Sequence, residues 1–208
     1  MTILVGKKAP DFTTQAVMAD GSINEDFNFA KAIDGKYAVL FFYPMDFTFV
    51  CPTELIAFDK RMDKFKELGV EVVGVSIDSH WTHNAWRKTP VDDGGIGEVN
   101  YTLAADMSHE ICQAYGVQSD GGDSHYPPGV AMRGTFIIDP SGVVRHMVVN
   151  DEPLGRNIDE VIRMVEAYQF FKENGQVCPA GWDKNKKAFK PANPSELAAY
   201  LSANAESL

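Results

Sequence analysis

The chain is sparing with sulfur and with positive charge. It has three cysteines, Cys51, Cys112 and Cys178, too far apart for a CxxC pair or a zinc knuckle. An odd, sparse set argues against a structural disulfide framework and leaves reactive thiols open. Nineteen Lys and Arg stand against 29 Asp and Glu, a net charge of −10 over 208 residues. That deficit argues against nucleic acid and anionic membrane surfaces as partners, because phosphate binding needs basic patches. No apolar run is long enough to span a bilayer, and the opening MTILVGKKAPDF has no hydrophobic stretch of signal-peptide length, so a cytoplasmic location is expected. There is no internal repeat and no low-complexity linker. GGIG (94–97) lacks the Lys-Ser/Thr of a P-loop and opens no clear βαβ turn, which argues against nucleotide binding.

What is present alternates. YAVLFFY (37–43) is a short continuous apolar run, the mark of a buried strand. The helix expected after Cys51 has Pro52 where a missing N–H costs nothing, and Leu55, Phe58, Met62 and Phe65 at helical spacing up to a Gly69 stop. Strands follow at 70–78 and 99–106, with a short helix at 80–88 and a Ser-capped, Gly-stopped helix at 108–116. RGTFIIDPSGVVRHMVVN (133–150) carries the strongest hairpin signal, two β-rich runs around Asp-Pro-Ser-Gly. A capped amphipathic helix spans 157–175, with Ile158, Val161, Ile162, Val165 and Tyr168 inward. The remainder is polar and aperiodic until a short helix capped by Asn193 and opened by Pro194. This order predicts an α/β protein: a central mixed sheet, mostly parallel and edged by an antiparallel strand, flanked by helices. It matches a thioredoxin-like fold over 1–175 with a C-terminal extension over 176–208.

Cys51 ends the stretch FFYPMDFTFVC and starts a helix. A sulfur there meets unpaired N–H groups and the positive end of the helix dipole, both of which favour thiolate. Cysteine also packs as a small hydrophobe, so the neighbours decide. Thr48, three residues earlier, can hydrogen-bond at the sulfur, while Pro44 and Pro52 remove competing N–H groups and stiffen the loop. These favour a reactive thiol. Read singly, Arg133 and Arg156 are surface charges and Cys178 is a free surface thiol. His80 and His83 form an HxxH pair with no third ligand nearby, which reads as exposed helix histidines rather than a metal site. Cys112 reads as structural. Phe41, Phe42, Phe47 and Phe49 read as core and pocket wall.

Pro44-x-x-x-Thr48-x-x-Cys51 closely resembles the active-site signature of the typical two-cysteine peroxiredoxins, a group that includes the peroxidase subunits of bacterial alkyl hydroperoxide reductases. VSIDSHWTHNAW, GGIG, RGTFIID, NDEPLGR (150–156) and VCPAGW (177–182) extend the resemblance over nearly the whole chain. The resemblance implies a thiol peroxidase acting on hydrogen peroxide and organic hydroperoxides. Cys51 would be the peroxidatic nucleophile, with Thr48 bonding the peroxide and Pro44 shielding the site. Arg133 would stabilise the thiolate and the leaving oxygen, supported by Glu54 and Arg156. Cys178 of the partner subunit would resolve the sulfenic acid as an intersubunit disulfide, then reduced by thioredoxin or a flavoprotein disulfide reductase. A homodimer assembling into a ring of dimers (a decamer) is implied, with no flavin, haem or metal. Secondary chaperone activity occurs in the group. A protein disulfide oxidoreductase is the rival enzyme, but Thr48 stands where CxxC chemistry needs its first cysteine. Three departures stand out: 118–134 is longer than usual, GGIG replaces GGLG, and Leu201 follows Tyr200 where oxidation-sensitive members have Phe.

Overall fold

Seven strands in the order β2-β1-β5-β4-β3-β6-β7 form the sheet of the computed structural model, which describes residues 3–207. The chain divides into two compact units, Met1–Ile158 and Asp159–Leu208.

The first unit begins with a hairpin, β1 (Thr13–Val17) and β2 (Ile23–Asn28), followed by the single turn α1 (Phe29–Ala32). β3 (Tyr37–Phe42) is the apolar run, and all but its first residue are buried. It leads through residues 43–50 to α2 (Cys51–Asp59), then α3 (Met62–Glu67), β4 (Val70–Ser76) and α4 (His80–Lys88). β5 (Thr102–Ala105), α5 (Glu110–Ala114), and the hairpin of β6 (Arg133–Ile138) and β7 (Val144–Asn150) complete the unit. The core beneath the site is aromatic: Phe41 stacks on Phe58 at 4.1 Å between ring centroids and meets Tyr101 edge-on at 5.6 Å. Gly74 of β4 makes room for it, since a Cβ there would lie 2.7 Å from the Phe41 ring.

Four expectations change. The sheet is mixed, but β3–β4 and β4–β5 are its parallel pairings, whereas β1–β2, β1–β5, β3–β6 and β6–β7 are antiparallel. The hairpin at 13–28, absent from the sequence reading, supplies two of those four. The single helix expected after Cys51 is two pieces. Arg61 leaves helical geometry (φ −112°, ψ 6°) and its N–H turns back to Phe58 O at 3.0 Å. The break preserves the apolar phase, since Leu55, Phe58, Met62 and Phe65 are all buried. Ser108 is only a weak part of the cap of α5, its Oγ accepting the Glu110 N–H at 3.4 Å. Asp106 supplies the stronger part, accepting the Ile111 N–H at 3.0 Å and the Cys112 N–H at 2.8 Å. Finally, Phe41 and Phe42 are core, but Phe47 is half exposed and Phe49 is 93% exposed.

The second unit takes α6 (Ile158–Asn174) from Asp159 onward, an extended stretch, and α7 (Pro194–Asn204). Trp182 packs on Phe170 at 4.9 Å and Tyr200 on Phe189 at 5.2 Å. Asn193 caps α7 by accepting the Glu196 N–H at 3.2 Å. Among the described residues no helix is long and apolar enough to cross a membrane.

Candidate active site

The sulfur of Cys51 sits at the first residue of α2, fully buried. The N-terminal turn of α2 has no side-chain cap, because Val50 occupies the cap position. Its donors and its dipole therefore face the sulfur's end of the helix uncompensated by a capping oxygen. The strongest polar neighbour comes from β6: Arg133 Nη1 donates to Cys51 Sγ at 3.3 Å.

Arg133 is 1% exposed, and a buried guanidinium is stable only when its donors are paired. They are. Nη1 also donates to Glu54 Oε2 at 3.0 Å, and Nε donates to the Glu152 carbonyl at 2.7 Å. The Glu152 carboxylate lies 3.6 Å from Nη2. Burial works against the Arg133 charge, but the Cys51 sulfur and then Glu54 outweigh it and hold its pKa above the ordinary value.

Glu54, one turn along α2 from Cys51, is 2% exposed and is braced by Arg156. Arg156 donates from Nη2 to Oε2 at 2.7 Å, and from Nε and its backbone N to Oε1 at 2.9 and 2.8 Å. Its Nη1 donates to the carbonyls of Phe42 (2.9 Å) and Gly134 (3.0 Å), on β3 and β6. The guanidinium also lies over the Phe41 ring, 5.2 Å from its centroid. Burial pushes the Glu54 carboxyl up, yet Arg156 and then Arg133 more than offset this and leave its pKa below the ordinary carboxylate value. Neither arginine is the surface charge that it resembles in isolation.

Pro44 is buried in the loop before α2, and Thr48 is partly buried. The Thr48 hydroxyl donates to Met45 O at 2.9 Å. With its proton committed there, the oxygen is left as an acceptor, suited to an incoming O–H.

The same loop is anchored by groups that no local motif marks in the sequence. Asp46 is buried and accepts from Tyr43 Oη at 2.8 Å and from His83 Nδ1 at 2.7 Å. Its N–H donates to Asp78 Oδ2 at 2.8 Å, and Ser76 Oγ donates to the same oxygen at 2.7 Å. Burial, then the adjacent Asp46 charge, raises both the Tyr43 and the Asp78 pKa. His80 and His83 are therefore buried, not exposed as their sequence suggests. His83 pairs with Asp46, and the His80 ring lies tilted against Trp81, 4.6 Å between centroids. Phe47, next to Asp46, adopts a left-handed backbone with φ 53°, strained for a side chain of that size, and its ring lies 5.7 Å from Trp86.

The other two thiols have different surroundings. Cys112 is buried, donates to His109 O at 3.2 Å, and is pushed up to about 12 by burial and the neighbouring Asp106. Both effects work against the thiolate, and so against nucleophilic attack by Cys112 at neutral pH. Cys178, in the second unit, is half-buried and donates to Ala167 O at 3.4 Å, and burial raises its pKa.

A buried cysteine at a helix start, touched by a buried arginine, is an arrangement that favours a thiolate. Residues 5–147 match the family model "AhpC/TSA family", and residues 167–203 match "C-terminal domain of 1-Cys peroxiredoxin". The chain belongs to the AhpC/TSA family. It is 48% identical over 202 residues to alkyl hydroperoxide reductase C of Helicobacter pylori, covering 97% of this chain and 98% of that protein. It is 49% identical over 200 residues to mouse peroxiredoxin-2, covering 95% of each. The crystal structure of reduced Plasmodium vivax 2-Cys peroxiredoxin superposes with a TM-score of 0.89 at 43% identity, over 97% of this chain and all of that one. The protein is a peroxiredoxin with the thioredoxin-like fold, a thiol-dependent peroxidase.

Proposed function

We propose that Cys51 is the peroxidatic cysteine and that Arg133, Glu54 and Arg156 are its electrostatic support, within a peroxidase domain of residues 1–175. The observation that carries this is the 3.3 Å contact from a buried, carboxylate-braced guanidinium to a sulfur at a helix N-terminus. The Cys51 thiolate attacks one peroxide oxygen. The O–O bond breaks, the second oxygen leaves and takes a proton to become water or an alcohol, and sulfur retains the hydroxyl as Cys–SOH. Arg133 neutralises charge as it shifts to the leaving oxygen, Thr48 accepts the peroxide O–H, and Pro44 keeps water off the sulfur.

Cys178, on the 176–208 tail of a partner subunit, attacks the sulfenic sulfur, expels water and forms the intersubunit disulfide. The electrons return through thiol–disulfide exchange with an external dithiol protein, thioredoxin or a flavoprotein-coupled disulfide reductase. The assembly is a homodimer, and the dimers form a ring. The exposed Phe47, Trp81 and Met107 support a further subunit contact on the first unit. The proposed compartment is the cytoplasm.

Cys51→Ser tests the assignment. Serine is near-isosteric but its hydroxyl is not ionised at neutral pH, so peroxide turnover disappears while the far-UV spectrum is kept. A serine variant with wild-type turnover would move the nucleophile elsewhere.

A further inference from the structure

The long segment between α5 and β6 reaches the strand that carries Arg133. It leaves α5 as a narrow ribbon in which Gln118 bridges to Ala131 and the Ser119 N–H donates to Val130 O at 2.9 Å. Much of the tip is exposed, but Tyr126 turns back inward and is 3% exposed. Its hydroxyl accepts the Arg133 N–H at 2.9 Å and donates to the Asn150 carbonyl at 2.8 Å. Arg133 and Asn150 are register partners at the end of the β6–β7 ladder. A side-chain oxygen from the loop thus stands between an amide and a carbonyl of facing strands, where an uninterrupted ladder joins such groups directly.

The neighbouring His125 fastens the other side. It donates from its backbone N to Asp151 Oδ1 at 3.3 Å and from Nδ1 to Asp151 Oδ2 at 2.6 Å. Asp151 in turn accepts the Glu152 N–H at 2.9 Å, and Glu152 supplies the carbonyl that receives Arg133 Nε. Two consecutive loop residues therefore hold both backbone points from which the guanidinium is aimed.

We infer that Tyr126 is a positioning residue for Arg133, and that the extended 118–131 segment sets the guanidinium's approach to Cys51. This rests on the reading of Cys51 and Arg133 as the reacting pair. Without the hydroxyl, the Arg133 amide and the Asn150 carbonyl each lose a buried partner. The strands then close on each other, and Arg133 moves with its backbone. A displacement of about 1 Å at a reacting centre is enough to cost up to roughly 100-fold in rate.

The test compares Tyr126→Phe, which keeps the ring, with Arg133→Lys. The readouts are the rate constant for peroxide reduction, the pH profile of Cys51 alkylation, and Tm. For Tyr126→Phe the expected result is a rate about 10-fold lower and an alkylation profile moved to higher pH, both measured on fully folded protein. A fall in Tm with unchanged rate and alkylation profile would show Tyr126 to be a fold support only and would overturn the inference. Wild-type rates in Arg133→Lys would sink the reading of the site itself, a separate failure. If Tyr126→Phe does not fold, Asp151→Asn, which loosens the His125 clasp at the surface, takes its place. That variant is expected to slow peroxide reduction roughly two- to threefold, within the range of small positioning errors, and an unchanged rate would overturn the inference.

Discussion

Replacing Glu54 by glutamine keeps the size of the side chain and removes its charge. The carboxylate takes hydrogen bonds from Arg133 Nη1 and Arg156 Nη2 on Oε2, and from Arg156 Nε and N on Oε1. A glutamine offers one oxygen. Whichever way the amide turns, its NH₂ faces two N–H donors, and two guanidinium groups remain buried without a buried carboxylate. Removing one partner of a buried ion pair costs about 3–5 kcal/mol. At about 2–4 °C per kcal/mol for a chain of this size, Tm should fall by roughly 6–20 °C. Peroxide reduction should slow as well, by about 100-fold, because Arg133 loses the brace that holds it against the sulfur. The assay is thermal and urea unfolding of reduced protein at one fixed concentration, since assembly shifts apparent stability, with stopped-flow peroxide kinetics on the same samples. A Tm within about 2 °C of wild type, together with an unchanged rate constant, would refute the reasoning.

The same carboxylate gives an acid dependence. Its folded pKa is depressed by Arg156 and Arg133 against the effect of burial, so its stabilisation is present above the unfolded value, about 4.3, and is lost as pH falls through the folded one. Unfolding free energy should fall more steeply below about pH 4 in wild type than in Glu54→Gln; parallel slopes would contradict this. Cys112→Ser should retain full peroxidase activity and lose about 1 kcal/mol, because the smaller hydroxyl loses packing but keeps the His109 carbonyl as its acceptor. Lost turnover at an unchanged Tm would make Cys112 catalytic. On a non-reducing gel, peroxide-treated wild type should run as a dimer and Cys178→Ser as a monomer carrying a trappable sulfenic acid. A dimer persisting in Cys178→Ser would assign the disulfide to another cysteine.

Where chemistry is local, the sequence was readable. The apolar run of β3, Pro52 at the start of α2, the Asp-Pro-Ser-Gly hairpin and the Asn193 cap each act over a few residues. Where partners are distant, it was not. Arg133 looks like a surface residue at a strand start until Glu54, 79 positions away, is placed beside it, and only resemblance to a family picked it out. His83 sits 37 positions from Asp46, so nothing in HWTHNAWRK marks its face as buried. The β1–β2 hairpin was missed because INEDFN turns exposed Glu25 and Asp26 outward around the single buried Phe27. Only the turn residues Asp20-Gly21-Ser22 hinted at it. Asp106 caps α5 from four residues before the helix, outside the position where Ser108 drew attention.

The buried charges around Cys51 can be summed. Arg133 and Arg156 contribute two positive charges and Glu54 one negative; Glu152 is more than a third exposed and partly screened by water. A Cys51 thiolate brings the buried total to zero. Oxidation to a sulfenic acid or a disulfide removes the sulfur's charge and leaves the set at plus one. Arg156 is tied to carbonyls of β3 and β6, so its charge stays with the sheet whatever the state of the sulfur. An uncompensated charge in a low-dielectric site is costly, so this set of side chains is matched to an anionic sulfur and mismatched to a neutral one. If Cys51 is the reacting sulfur, its oxidation state enters the stability of the buried cluster through one elementary charge.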